Sequence, residues 1–251
     1  MIIPLKDGES LSRLFHINSE PWSNSEAYEQ AKDYEVEYRE FSNGNEPIVL
    51  PSSNDSPLLQ LLAARRSCRE YQSKPISLTA LSSLMACAYG ITRKGKVANV
   101  TNGYFRTVPS AGGLFPLEIY LLARNVEQVP AGIYHYNVRG HSLELLRAGG
   151  SFSELDKALI FAPIISAASL IFFLTAVFSR SQKKYGPRGY RYILLEAGHV
   201  AQNLCLSATE QGLGSLCMGG YFDGRLNRFL GFDGVSEAVI YSLAVGHSAV
   251  K

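Results

Sequence analysis

The chain has 251 residues, of which 46% are hydrophobic and 18% charged, enough apolar material for one full core or at most two. That balance excludes a disordered polypeptide, and a net charge of +2 gives no strong basic field for nucleic acid. The four cysteines, Cys68, Cys87, Cys205 and Cys217, form no CxxC pair and suit neither a zinc site nor a short disulfide framework, so buried or half-buried reduced thiols are expected.

Residues 1–57 are polar and punctuated, an N-terminal arm rather than a domain with its own core. The opening MIIPLKDGES lacks a signal-peptide layout, which points to the cytoplasm. SEPWSNSEAYEQAKDYEVEYREF reads as a short helix, and SNGNEP and PSSNDSP as loops. The globular part runs over 58–251. Ser56 as a cap with Pro57 behind it starts a helix, SPLLQLLAAR, with Leu58, Leu61 and Leu62 on one face. SLTALSSLMACAYG is a second helix, capped by Ser77 and stopped at Gly90. LEIYLLA (117–123) is a strand, and GIYHYN (132–137) and HSLELLRA (141–148) form a hairpin about the turn NVRG. From Ala158 to Phe178 no charged residue occurs, yet Pro163 and the serines divide the run into a helix end and a buried strand, LIFFLTAVF, rather than a membrane span. KKYGPRGYRY then reads as a loop. GYRYILLEAGHVAQNLCLSATEQGLG is the clearest helix, with Leu194, Ala197, Ala201, Leu204 and Ala208 in helical spacing and Gly212 and Gly214 ending it. Ala197, Gly198 and Ala201 are small enough for another helix to approach, within the chain or across a dimer. AVIYSLAVGH is the last strand. Helices mixed with strands and a hairpin indicate an α+β layered fold. GxGxxG and GxxxxGK[ST] are both absent from the sequence.

Four segments carry chemistry. In RRSCRE, Arg65, Arg66 and Arg69 crowd around Ser67; three guanidinium groups this close suit an anion such as phosphate, or form a solvated basic turn. VPSAGGLFP places Pro109, Ser110, Ala111, Gly112 and Gly113 before a strand, where small residues let backbone approach a flat ligand, or simply build a loop. Lys184 and Tyr185 follow the buried strand, and both side chains can move protons, though a charged loop with an aromatic is often only surface. GLGSLCMGGYFD holds Leu213, Gly214, Met218, Gly219 and Gly220, whose backbone N–H groups suit a ring nitrogen or carbonyl, or a helix stop followed by a turn.

Taken in order, RRSCREY, AYGI, PSAGGLFPLEIYLL, GIYHYN, KYGPRGYRYILLEAGHVAQNL, GLGS and AVGH resemble the SagB-type branch of the nitroreductase-like flavoproteins, over about Leu58 to His247. FHINSE near the start is like that branch's N-terminal arm, more loosely. The resemblance implies a nitroreductase-like α+β fold, a mostly antiparallel sheet flanked by helices, in a domain-exchanged homodimer with FMN at the interface. Arg65, Ser67 and Arg69, with Arg66 beside them, would hold the FMN phosphate, and Pro109–Gly113 of the partner chain would lie along the isoalloxazine. Gly219 and Gly220 would approach its reactive edge. The basic residue that usually closes on phosphate after the last strand is matched only by Ser248 and Lys251. Lys184 and Tyr185 match the proton-transfer pair of azoline oxidases. The implied activity is oxidation of thiazoline or oxazoline rings in a peptide, with a cyclodehydratase as partner and no membrane or nucleic acid. Alternatives are an NAD(P)H-dependent nitro- or quinone reductase, a related oxidase acting on a carrier-bound nonribosomal substrate, and a non-catalytic flavin-binding scaffold.

Overall fold

The structure is a computed structural model that describes residues 11–20, 38–39, 41, 44, 46–52, 56–95, 103–149 and 152–250. Most of the helix expected within 19–41, and Lys251, lie outside the described residues. The elements in chain order are α1 (Leu11–Asn18), α2 (Pro57–Ala64), β1 (Tyr71–Gln72), α3 (Leu78–Tyr89), β2 (Ile91–Lys94), β3 (Tyr104–Arg106), β4 (Leu117–Ala123), β5 (Gly132–Asn137), β6 (Ser142–Ala148), α4 (Ser153–Asp156), α5 (Ala162–Ile165), β7 (Leu170–Val177), α6 (Phe178–Tyr185), α7 (Arg188–Glu210), β8 (Gly214–Met218), α8 (Asp223–Leu230) and β9 (Glu237–Ser248).

The sheet runs β1-β9-β7-β4-β5-β6, with β8 also on β9, and its ladders are antiparallel. β7 lies between β9 and β4, and its period of two divides the core. Leu170, Phe172, Leu174 and Ala176 face α3 and α7, while Ile171 and Phe173 face the side of α4, α5 and α8. Phe172 and Phe173 are fully buried, so truncating either to alanine costs about 3–5 kcal/mol. The uncharged run 158–178 is thus a short helix and a core strand. Among the described residues no helix is long and apolar enough to cross a membrane.

Local chemistry sets several element ends where expected. Ser77 Oγ accepts from Ala80 N–H at 3.1 Å and opens α3; Gly90 closes it, at a point where a Cβ would press on the Ala86 carbonyl at 2.5 Å. Other expectations need correction. The stretch 178–185, read partly as loop, is the helix α6, and Gly186 (φ +56°) reverses the chain into α7. Gly212 (φ +67°) ends the run of α7 as expected, but Gly214 opens β8, because pairing with β9 makes a strand of a glycine-rich segment. Leu194 is 40% exposed, so the core face of α7 is Ile193, Ala197, Val200, Ala201, Leu204 and Ala208. Cys87 is exposed rather than buried. The apolar helix α2 buries none of its residues, leaving Leu58, Leu59 and Leu62 open.

Candidate functional site

The arginine loop leaves α2 and is tied to β8: Cys68 N–H donates to the Ser215 carbonyl at 2.8 Å, and Ser67 bridges Ser215. Arg66, Ser67, Cys68 and Arg69 line one wall of a cavity of 510 Å³, and Thr209, Gly212, Leu213, Gly214 and Ser248 line the other. Arg66 donates to the Ala63 and Arg65 carbonyls, and Arg69 to the Ser67 carbonyl at 3.4 Å. Among the described residues none of Arg65, Arg66 and Arg69 has a carboxylate partner. Arg66 and Arg69, exposed at the concavity with only backbone acceptors, fit an anion with several oxygens, whereas Arg65 is half-buried and does not line it. Leu213 and Met218 are buried in the core, and Leu213 also borders the cavity. Around Gly219 a Cβ would find nothing within 4 Å, whereas at Gly220 it would press on Phe161 at 3.1 Å. Met218 pairs with Ser242 and Gly214 with Gly246, so β8 runs from the arginine loop toward the glycine pair, on the order of 15 Å.

A second constellation lies at the other end of α7. Ser110–Gly113 forms a tight turn in which Gly112 takes φ +64°. A Cβ built on Gly112 would meet Tyr185 OH at 2.6 Å and Lys184 Nζ at 2.7 Å, so both polar ends converge on this backbone. Neighbouring side chains on a strand point to opposite faces, but in the last turn of a helix they diverge by only about 100°, and two long side chains can meet. Lys184 Nζ lies 5.2 Å from the Tyr185 ring centroid, and Tyr192 packs edge-on to that ring at 5.0 Å. Lys184 is exposed and Tyr185 half-buried.

The glycine turn is anchored from beneath by residues the sequence reading did not single out. Tyr89 OH donates to Glu196 Oε1 at 2.6 Å, and Ser110 is hydrogen-bonded to the same carboxyl, while Ser110 Oγ also accepts from Phe115 N–H at 2.9 Å. Burial pushes the Glu196 carboxyl up, against the lowering by those hydrogen bonds and by Arg106. The Arg106 guanidinium stacks on Tyr89 at 4.1 Å and Phe115 at 4.6 Å, and its Nη1 has no hydrogen-bond partner among the described residues. The signal for this network was in the sequence: Glu196 is the one acid in the helical spacing of Ile193, Ala197 and Val200.

The two constellations do not meet within the chain. The arginine cavity touches Thr209 and Gly212 at the end of α7, and Tyr185 precedes its start at Arg188. A helix of 23 residues spans about 35 Å. The N-terminal arm adds a cover near the second constellation. His16 Nδ1 hydrogen-bonds Tyr190 OH at 3.1 Å, and Gln182 donates to Ser12 Oγ at 3.0 Å.

An antiparallel sheet layered between helices, with an arginine loop at a cavity and a lysine–tyrosine pair set on a glycine turn, defines an α+β layered scaffold. The chain belongs to the nitroreductase family, whose profile matches residues 62–247. It is 38% identical over 183 residues to MJ1384 of Methanocaldococcus jannaschii, named as a nitroreductase, covering 73% of this chain and 88% of that one. It is 30% identical over 168 residues to the microcin B17-processing protein McbC of Escherichia coli, covering 63% of this chain but only 57% of McbC. Among solved structures it is similar to the E. coli microcin synthetase McbBCD complex with truncated pro-MccB17 bound, with a TM-score of 0.67, 24% identity and coverage of 94% of this chain and 86% of that one.

Proposed function

We propose that this protein is an FMN-dependent azoline oxidase of the SagB type, which converts thiazoline or oxazoline rings of a peptide to the aromatic azoles. The convergence of Lys184 and Tyr185 on Gly112 carries the reading, since a flat ligand laid along that turn would have a proton acceptor at its edge. Aromatising an azoline removes two electrons and two protons, and FMN, when bound, supplies the two-electron acceptor. Tyr185 takes the proton from the ring carbon. Lys184 supplies compensating positive charge beside it. Arg65, Arg66, Ser67 and Arg69 hold the phosphate, and the Pro109–Gly113 turn and the backbone of Leu213–Gly214 and Met218–Gly220 flank the rest of the cofactor. Lys251, outside the described residues, belongs to the same proposed cofactor-binding set.

The separation along α7 supports a site shared by two chains, with the arginine loop of one facing the Lys184–Tyr185 pair of the other in a homodimer. The arm, residues 1–57, precedes the FMN-binding domain, 58–251, and serves as the docking surface for a cyclodehydratase. The setting is the cytoplasm. The likeness to McbC, a microcin-processing protein, and to the microcin synthetase complex supports both the peptide substrate and the partner. The similarity to MJ1384 favours one rival, an NAD(P)H-dependent reductase on the same scaffold.

The test is to record the visible spectrum of the purified protein, release its chromophore by heat, and offer azoline peptide and NADPH in parallel. FMN release with azole formation on the peptide is the expected result. Rapid bleaching by NADPH with inert azoline peptide would replace the reading with the reductase, and failure to take up FMN would remove both.

A further inference from the structure

Three of the four cysteines gather where α7, β8 and the arginine loop meet. Cys68 faces Gly214, where a Cβ would meet its Sγ at 2.6 Å, and its thiol donates to the Glu70 carbonyl at 3.2 Å. Deeper in, Cys205 on α7 and Cys217 on β8 hold their Sγ atoms 3.5 Å apart. The gap is about 1.5 Å longer than a disulfide, a closure within reach of small side-chain rotations. The two sulfurs sit on different elements joined through the Gly212 turn, so a bond between them would tie helix to strand.

The pair is chemically unequal. The hydrogen bond from Cys217 lowers the Cys205 thiol, burial opposes this, and Ser215 and the Arg65 guanidinium add to the lowering. The same hydrogen bond and burial push the Cys217 thiol up. The arrangement sets the more acidic sulfur, Cys205, beside a thiol placed to resolve it. Cys205 is buried and Cys217 half-buried, so only a small oxidant reaches them.

We propose that Cys205 and Cys217 form a hydroperoxide-reactive dithiol that closes reversibly to a disulfide and cross-links α7 to β8. The Cys205 sulfur attacks one peroxide oxygen, the O–O bond breaks, and the other oxygen leaves as an alcohol or water, which converts Cys205 to a sulfenic acid. The Cys217 sulfur then attacks the Cys205 sulfur. The S–S bond forms, and the hydroxyl leaves as water with the Cys217 proton. In sum the two thiols lose two electrons and two protons, and the hydroperoxide takes up both, becoming alcohol and water. The strand so fastened carries Gly214 at one end and leads to Gly219 at the other, so oxidation acts on the segment proposed to line the cofactor without depending on that proposal.

The full-length protein is treated with stoichiometric hydrogen peroxide, unfolded in N-ethylmaleimide and mapped by peptide mass. Two of the four thiols are expected to be lost, recovered as one Cys205–Cys217-linked pair lighter by two hydrogens and restored by dithiothreitol. Cys217→Ser is expected to leave a sulfenic acid on Cys205, which dimedone traps when it is present during unfolding. The wild-type map decides the question even if that variant misfolds. Full alkylation of Cys205 and Cys217, or a link that uses Cys68 instead, would overturn the proposal.

Discussion

At the scale of single residues, Gly112 and Gly219 separate a packing role from a ligand role. Alanine at Gly112 must hold φ +64° and place a methyl group where Tyr185 OH and Lys184 Nζ now converge. The backbone penalty is about 1 kcal/mol, too little to unfold the chain. Displacing both polar ends is expected to lower turnover by about 10²-fold or more, comparable to Tyr185→Phe, with thermal stability close to wild type. Steady-state rates and melting curves for the two variants check this, and wild-type turnover in Gly112→Ala would remove the pair from the mechanism. Alanine at Gly219 meets nothing within 4 Å, so any loss of FMN retention there reports a ligand. Asp223 gives a pH prediction. Burial pushes its carboxyl up to about 7, with the Glu20 charge adding to it. The native state keeps this proton while the unfolded chain loses it near pH 4, so its contribution is full below that point and is lost as pH rises through 7. Asp223→Asn is therefore expected to raise the melting temperature at pH 8 and leave it nearly unchanged at pH 4. Equal shifts at both pH values would contradict the assignment.

Elements were legible in the sequence wherever their ends are set by local chemistry. Ser56 with Pro57, Ser77 and Gly90 encode their helix ends through short-range hydrogen bonds and fixed backbone, and β7 announces itself by an uncharged run buried on both faces. β8 was not legible, because a glycine-rich stretch owes its extended form to β9, which is distant in sequence. α6 was hidden for another reason: only Phe178 and Ser181 are buried, so its apolar period is too sparse to read. In the support of the glycine turn Glu196 was legible as the one acid on the buried face of α7, whereas its partner Tyr89 on α3 is distant in sequence and was not. That pair yields a prediction for the element. Glu196→Ala strands the buried Tyr89 hydroxyl and frees Ser110, and is expected to cost about 1–3 kcal/mol. Glu196→Gln keeps an acceptor for both and is expected to recover most of the loss. Chemical denaturation of the two variants distinguishes these outcomes, and equal destabilisation would mean that the charge rather than the hydrogen bond matters.

For the whole molecule, surface and site make the same demand. α2 is an apolar helix with no buried residue, and Leu194 and Leu195 open a second apolar strip on α7 beside the exposed Gly198. α2 packs on α7, so the two strips lie on neighbouring helices. Exposed apolar groups gathered in this way mark an interface. The proposed cofactor site would require one too, because the arginine cavity and the Lys184–Tyr185 pair stand at opposite ends of α7. If one contact answers both needs, the protein of 27.5 kDa should sediment at twice that mass, and breaking the contact should cost the cofactor as well. Leu59→Glu with Leu195→Glu puts charge into both strips without touching any residue proposed to meet FMN. The expected result is a folded monomer that has lost most of its FMN and all turnover, read by analytical ultracentrifugation together with flavin absorbance. A monomer that keeps FMN at one per chain would place the whole site within a single chain, and the span of α7 would then need another explanation.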